Sequence, residues 1–159
     1  MTFKQEKVER IIRECDKHIL RIKDSSEQMQ NFMLLDSESY QHLSKLQVQI
    51  IDQFLFRFAK LQDSIGEKLF KAILIFLDED VDNKPFIDIL NRMEKLEILG
   101  NVEEWRELKD IRNELSHAYD EPDEMVLSIN KIFSKKDNLI LTYKNIKDYY
   151  ESRMKIQRG

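Results

Sequence analysis

Residues 43–76 have the sequence LSKLQVQIIDQFLFRFAKLQDSIGEKLFKAILIF. Apolar residues recur there at steps of three and four, which places them on one broad face of a long amphipathic helix. Gly66 is the position in this stretch where a kink is expected. A helix of this length is typical of helical bundles and coiled coils. The stretch therefore predicts an all-α fold.

The rest of the chain shows the same helical periodicity between a few breaks. Asp24–Ser26 is either the end of the first helix or a looser turn within it, and Gly100 is expected to stop the helix that begins near Pro85. An acidic loop is predicted over 78–85. We expect a single domain, residues 1–159, in which about five or six helices form a bundle, over about 2–23, 36–76, 85–97, 101–118, 123–133 and 138–154.

The composition agrees with a helical protein. The chain has 3 glycines and 2 prolines in 159 residues, with 42% apolar and 35% charged residues. Cys15 is the only cysteine, which excludes an internal disulfide and a cysteine-based zinc site. The longest apolar run, 72–77, is too short to cross a bilayer, and the charged first residues do not resemble a signal peptide. We therefore expect a cytoplasmic protein without a membrane partner.

The charge is unevenly distributed along the chain. The formal net charge is -4, which does not indicate nucleic-acid binding by the molecule as a whole. Residues 131–159, however, carry eight Lys or Arg against three acids. This part of the chain is either a surface that attracts phosphate or a solvated helix face.

The most informative motif, RNELSHAY at residues 112–119, lies at the end of the predicted helix over 101–118, with Tyr119 directly after it. Asn101 followed by Glu104 resembles a capping box that starts this helix. Arg112 falls on its apolar stripe, where a guanidinium is costly unless an anionic group meets it. Asn113 and His117 are four residues apart and share the neighbouring face. The stripe consists of Trp105, Leu108, Ile111 and Leu115, with Tyr119 one turn further.

Arg112 and His117 supply the minimum set of groups for cleavage of RNA without a metal. A guanidinium matches phosphate oxygens, and an imidazole can accept or donate a proton near neutral pH. The 2′-hydroxyl of RNA is the nucleophile, so the protein needs only an acid or base and a cation that stabilises the phosphorane. The two residues lie about 140° apart on an ideal helix. The long Arg112 side chain, or a loosened last turn, must therefore bring them together.

A structural interpretation of the same residues remains open. Arg112 could pair with a buried acid on another helix, with no cleft, and His117 could simply favour the helix C-terminus by its charge. Other polar groups indicate no site: the acids at 78–82 suit a solvated loop better than a cation site, and His18 and His42 suit packing or surface positions. No metal ligand set and no cofactor is predicted.

The spacing of Arg112, His117 and Tyr119 resembles the Arg-x4-His-x-Tyr motif of the HEPN superfamily. The chain looks most like the HepT-like toxin of HEPN/MNT toxin–antitoxin pairs. Asn113 after the arginine and the Ala118–Tyr119 pair also match that pattern. The resemblance extends in detail over residues 101–123 and in architecture over most of the chain.

This resemblance implies a HEPN-type bundle that forms a homodimer and acts as a metal-independent endoribonuclease. It implies that Arg112 stabilises the scissile phosphate, that His117 is the acid or base, and that Asn113 helps to orient them, with both subunits lining one cleft. Tyr119 matches the position that a partner minimal nucleotidyltransferase, the antitoxin, modifies with AMP, which would block RNA by charge and bulk. Some HEPN-like chains instead bind a nucleotidyltransferase or its substrate without cleaving RNA, which is the alternative function.

The acids around the motif oppose RNA binding unless they lie away from the cleft. They are Glu103, Glu104, Glu107, Glu114, Asp120 and Glu121. Basic residues for RNA are then expected elsewhere, and Arg57 and Lys60 on the long helix are the candidates. Arg57 lies beside the apolar stripe, so it also suits a salt bridge within the bundle.

Overall fold

The computed structural model describes residues 1–158, with side chains for residues 1–157, and its regular structure is entirely helical. A π-helical segment, Ser64–Leu69, joins α3 to α4 without a break. The predicted all-α fold is confirmed. No helix within residues 1–158 is long and apolar enough to cross a membrane. The helices are α1 (Phe3–Met29), α2 (Ser37–Gln41), α3 (Lys45–Asp63), α4 (Phe70–Phe76), α5 (Phe86–Lys95), α6 (Val102–Ala118) and α7 (Pro122–Arg158).

One hydrophobic core joins the helices. Helix α1 lies along α3, the π-helical segment and α4, while α6 lies against α7 and α5 contacts both α4 and α6. Trp105 and Phe54, both predicted as core residues, are buried. The indole of Trp105 meets the ring of Phe70 edge to face at a centroid distance of 4.8 Å. Helix α6 is thereby fixed against the end of the long helix, which positions the motif.

The helix starts follow capping signals in the sequence. Three helices begin after a side chain that accepts a hydrogen bond from the backbone N–H three residues later: Thr2, Asp36 and Ser44. Asn101 caps α6 by accepting from the backbone N–H groups of Glu103 and Glu104. The return bond of a capping box does not form, because the Glu104 carboxylate accepts from Asn138 of α7 at 3.2 Å instead.

Two predicted helix ends are wrong, and the single helix predicted over 36–76 is interrupted at 42–44, where α2 has ended and Ser44 caps α3. Helix α1 continues past 23 to Met29, because Ser25 and Ser26 are buried and the Ser26 hydroxyl donates to the carbonyl of Lys23. Helix α5 ends at Lys95, and Glu97 takes the left-handed conformation, with φ of 61°, at this end. Gly100 has no positive φ and does not stop the helix.

The two short helices predicted over 123–133 and 138–154 are a single helix, α7. The polar segment between them contains neither glycine nor proline, so nothing in it breaks a helix. Lys135 lies 3.4 Å from the Glu107 carboxylate and Asn138 donates to Glu104, both on α6. These contacts anchor the polar segment, and the helix continues across it.

His18 is a buried histidine between α1 and α3. Arg57 Nη1 lies 3.1 Å from His18 Nδ1, and since arginine can only donate, the ring nitrogen accepts and the imidazole is neutral. Burial, the largest cause, and the charge of Arg57 both lower the pKa of His18. The Glu14 carboxylate, 3.8 Å from Nε2, raises this pKa but does not outweigh them. His18 is therefore a packing residue, as the sequence predicted.

The stability of the wild type is expected to fall more steeply than that of His18→Gln as the pH is lowered from 7.5 to 5.5. In the unfolded chain His18 regains a pKa near 6.5 and binds a proton that the folded chain does not, so the free energy of unfolding decreases below that pH. The loss ends below the lowered pKa of the folded state. Glutamine offers Arg57 an acceptor without titrating. Urea unfolding of both proteins at the two pH values measures this, and an equal pH dependence would contradict it.

Candidate functional site

A cleft of about 490 Å³ lies between α6 and the junction of α3 with the π-helical segment. One wall comes from α6, and its polar side chains are spaced three, one and three residues apart, so they share one helix face. These are Lys109, Arg112, Asn113 and Ser116. The other wall comes from Gln62 and Asp63 at the end of α3 and from Gly66 and Glu67 in the π-helical segment. The motif helix and the long helix therefore build the cleft together.

Gly66 allows the two walls to approach each other. A Cβ atom at this position would lie 2.9 Å from Cζ2 of Trp105, closer than side-chain carbons come in proteins. The indole is buried and held by Phe70, so it has little room to move. The π-helical turn replaces the predicted kink at Gly66, and such turns are frequent at functional sites.

Arg112 reaches across the cleft to Asp63. Its Nε and Nη2 donate to the two carboxylate oxygens of Asp63 at 3.3 Å each, and its Nη1 donates to Ser116 Oγ at 2.9 Å. Asp63 is thus the anionic group that a guanidinium on the apolar stripe required. The Arg112 and Asp63 side chains remain 27% and 33% exposed. A pair this open to solvent is screened and stabilises the fold by about 1 kcal/mol or less, so a phosphate can replace the carboxylate.

The other motif residues are divided between the cleft and the surface. Asn113 lines the cleft with Arg112, whereas His117 and Tyr119 do not. His117 is exposed on the last turn of α6 and makes no hydrogen bond or ion pair with the residues described. Tyr119 is 63% exposed, and Ala118 continues the buried stripe in its place. The structural interpretation predicted a buried acid as the partner of Arg112 and no cleft. An acid, Asp63, does pair with Arg112, but its side chain is 33% exposed and it lines a cleft.

The regular geometry of α6 shows which of the two predicted routes brings Arg112 toward the C-terminal end of the motif. Helix α6 stays regular to Ala118, so the last turn is not loosened. The Arg112 side chain instead extends along the helix toward its C-terminus and donates to Ser116, the residue before His117. The long Arg112 side chain therefore reaches the helical turn that contains His117, while His117 itself does not line the cleft.

Two buried polar groups beside the cleft make no hydrogen bond with the described residues. They are the side-chain amide of Gln62 and Nε1 of Trp105. A buried group without a partner costs about 1–3 kcal/mol, so such groups are rare in cores. Because both residues line the cleft, its wall holds unused donors and an acceptor close to the surface.

The acids around the motif lie away from this cleft. Of the described residues, none of the six predicted to oppose RNA lines it. Glu107 and Glu114 face a groove on the other side of α6, where they pair with Lys135 and Lys131 at 3.4 and 3.3 Å. The acids that do line the cleft come from the long helix.

The cations predicted to bind RNA also lie elsewhere. Arg57 and Lys60 both flank the exposed ring of Phe56, each 5.6 Å from its centroid, and neither lines the cleft. In the basic part of the chain, three lysines of α7 pair with acids of α6 or α1: Lys131, Lys135 and Lys147. The predicted basic surface of residues 131–159 is therefore partly neutralised.

Of the residues that line the cleft, the sequence predicted Arg112 and Asn113 as site residues and missed the others. Lys109 and Ser116 carried a signal, because with Arg112 and Asn113 they form a polar face at helical spacing. Asp63 and Gly66 carried none, since their roles depend on which helices meet.

Two other groups are accounted for by local contacts. In the acidic loop, Asp78 pairs with Lys4 and Glu79 with Arg92, at 2.6 Å each. The described residues contain no cluster of three His, Cys, Asp or Glu able to hold a metal ion. Cys15 is buried, and burial raises the pKa of its thiol to about 12, so it stays protonated at neutral pH.

Comparison with known proteins leaves the family open. No family model, no curated protein and no solved structure matches this chain. The resemblance to HEPN toxins therefore stays a prediction from the motif at 112–119 and its surroundings.

Proposed function

We propose that this protein is a metal-independent endoribonuclease, the toxin of a HEPN/MNT toxin–antitoxin pair, with Arg112 and His117 as its catalytic residues. One observation carries the proposal: the guanidinium of Arg112 lies in an open cleft and donates to Ser116, directly before the exposed His117. A cation suited to phosphate and an accessible imidazole thus lie at the same end of α6.

In the proposed reaction the 2′-oxygen of RNA attacks the adjacent phosphorus, and the bond from phosphorus to the 5′-oxygen breaks. His117 either removes the proton of the 2′-hydroxyl or donates one to the leaving 5′-oxygen, and water makes the other proton transfer. The products are a 2′,3′-cyclic phosphate and a free 5′-hydroxyl. Arg112 exchanges its bonds to Asp63 for bonds to the phosphate and stabilises the phosphorane charge. Asn113, on the same wall, helps to orient the phosphate.

The proposal includes a homodimer and a minimal nucleotidyltransferase antitoxin. Two apolar side chains near the start of α3, Leu46 and Val48, are exposed and offer surface to a second copy. Tyr119 is exposed beside the motif, where a nucleotidyltransferase can reach its hydroxyl. An AMP group attached there would repel RNA phosphates and so neutralise the toxin.

The test is cleavage of single-stranded RNA by the purified protein in EDTA, beside Arg112→Ala. The wild type is expected to cleave, and the variant to cleave about 10²-fold more slowly, because the phosphorane loses its cation. No cleavage by wild type that is folded, dimeric and free of AMP on Tyr119 would overturn the proposal.

Asp63→Asn is the matched control for Arg112→Ala. It breaks the same ion pair from the other side but leaves the guanidinium in the cleft. We expect this variant to cleave at least as fast as the wild type. If both substitutions slow cleavage equally, the ion pair is structural and Arg112 does not act on the phosphate.

A second candidate function is favoured by the pairing of Arg112 with Asp63 and by the position of His117 outside the cleft lining. This arrangement also suits a non-catalytic subunit that binds a minimal nucleotidyltransferase or presents its substrate. That function predicts a stable complex with the nucleotidyltransferase and no RNA cleavage, so co-purification combined with the EDTA assay separates the two.

A further inference from the structure

A second groove adjoins the cleft on the molecular surface. It lies between the first turns of α1 and the start of α4 and is lined by Phe3, Lys7, Arg10, Glu67, Lys68 and Lys71, among others. Glu67 and Lys71 line both the cleft and this groove. The two depressions are therefore adjacent, and we call their combined surface, from Phe3 to Arg112, the basic channel.

The basic channel is positive although the chain is negative. Six Lys or Arg side chains line it against three carboxylates, a local charge of +3 on a chain of net charge -4. Lys68 and Arg112 pair with Glu14 and Asp63 inside the channel. The other four make no ion pair with the described residues: Lys7, Arg10, Lys71 and Lys109. A groove with a net positive charge attracts a polyanion, although Glu67, which lines both depressions, opposes that attraction locally.

Phe3 gives the channel an exposed aromatic ring. Its side chain is 77% exposed at the start of α1, one helical turn before Lys7. Cations that follow a groove beside an aromatic face are the arrangement by which proteins hold single-stranded nucleic acids, with phosphates on the cations and bases on the ring. Protein interfaces, in contrast, are depleted of lysine, and this channel has four lysines.

We propose that the basic channel binds a single strand of RNA, with phosphates on Lys7, Arg10 and Lys71 and a base stacked on Phe3, and leads the strand to Arg112. This inference rests on the proposed function, since it supplies the path of the substrate to the same site. The basic channel also supplies a positive surface next to the cleft. The residues predicted for that role, Arg57, Lys60 and the basic part of α7, do not line the cleft.

The test is binding of a fluorescein-labelled, single-stranded 2′-O-methyl RNA, measured by anisotropy at several salt concentrations. This RNA lacks the nucleophilic hydroxyl, so binding is measured without cleavage. Lys7→Ala/Arg10→Ala is expected to weaken binding about tenfold at low salt. It is also expected to reduce the slope of log K against log salt by about 1.4, because two phosphate contacts are lost.

Arg21→Ala/Lys23→Ala is the matched control. It removes the same two residue types from exposed positions of the same helix, about 16 to 24 Å further along its axis. We expect this double variant to bind RNA like the wild type. An equal loss of affinity in both double variants shows a general charge effect and overturns the inference.

Phe3→Ala is expected to weaken binding about tenfold, while Phe3→Tyr keeps the stacking face and retains affinity. Sedimentation velocity of Phe3→Ala tests the competing occupant, a second copy of this chain. If the variant binds RNA normally but no longer forms the wild-type oligomer, the ring belongs to an interface between copies and the inference is wrong.

The failure of this inference differs from the failure of the proposed function. If the wild type binds the RNA through Lys7 and Arg10 but cleaves no unmodified RNA, the channel stands and the catalytic proposal fails. If the protein cleaves RNA and the Lys7/Arg10 double variant binds like the wild type, the channel is wrong and the catalytic proposal stands. A wild type that binds no RNA overturns the channel.

Discussion

RNA cleavage is expected to fall about 10²- to 10⁴-fold when His117 is replaced by alanine, the range that one general acid or base contributes. His117 is exposed and makes no hydrogen bond or ion pair with the described residues, so the substitution removes no structural contact. The loss is expected in kcat, because a proton-transfer group acts in the transition state and the RNA still binds through its phosphates. Single-turnover cleavage in EDTA, combined with anisotropy for binding, measures the two effects separately.

His42→Ala is the control for this prediction. His42 is also exposed, and its Nδ1 contacts only the backbone carbonyl of Glu38 at 2.8 Å. We expect His42→Ala to cleave like the wild type, and both variants to unfold at the same urea concentration as the wild type. A His117→Ala protein with wild-type kcat would remove His117 from the mechanism.

Trp105→Ala is expected to lower the free energy of unfolding by about 3–5 kcal/mol, as for other large aromatic side chains in cores. Trp105 is buried, meets Phe70 edge to face and fills the space that Gly66 leaves open. Small domains are stable by only about 5–15 kcal/mol, so this loss is a large fraction of the total. The midpoint of urea unfolding measures it, with helix content followed by circular dichroism.

Phe56→Ala provides the comparison for Trp105→Ala. Phe56 is also aromatic but lies half exposed on α3, where its removal opens no cavity. We expect a change in the free energy of unfolding of about 0.5 kcal/mol or less. Comparable losses at Phe56 and Trp105 would mean that the indole does not fix α6 against the π-helical segment.

The all-α fold and the motif helix could be predicted because both depend on local patterns. Apolar periodicity defined α6 to within a residue of its observed end at Ala118, and Asn101 marked its start. The requirement for an anion near Arg112 followed from the cost of burying a guanidinium. Helix α7 was wrongly predicted as two helices. Its polar segment stays helical because it contacts Glu104 and Glu107 of α6, and these contacts between helices leave no local pattern in the sequence.

The partner of Arg112 and the basic channel could not be predicted from the sequence. Asp63 lies 49 residues from Arg112 along the chain, and many other acids were equally available. The channel joins side chains of α1, α4 and α6, so its cations become neighbours only after the helices have packed. The apolar periodicity of a sequence shows which face of a helix is buried. It does not show which other helix packs against that face.

The π-helical segment Ser64–Leu69 restricts how the length of this chain can vary. One residue beyond the α-helical repeat rotates the residues that follow by about 100°, and in this orientation α4 packs on α5 and places Phe70 against Trp105 of α6. Deleting that residue is expected to leave a regular helix in which the apolar side chains of α4 turn toward water. It would also rotate Lys71 away from Asp63, and both residues line the cleft. The loop over 78–85 has no such constraint. We therefore expect an insertion or deletion of one residue within 45–76 to destabilise the fold more than one within the loop over 78–85.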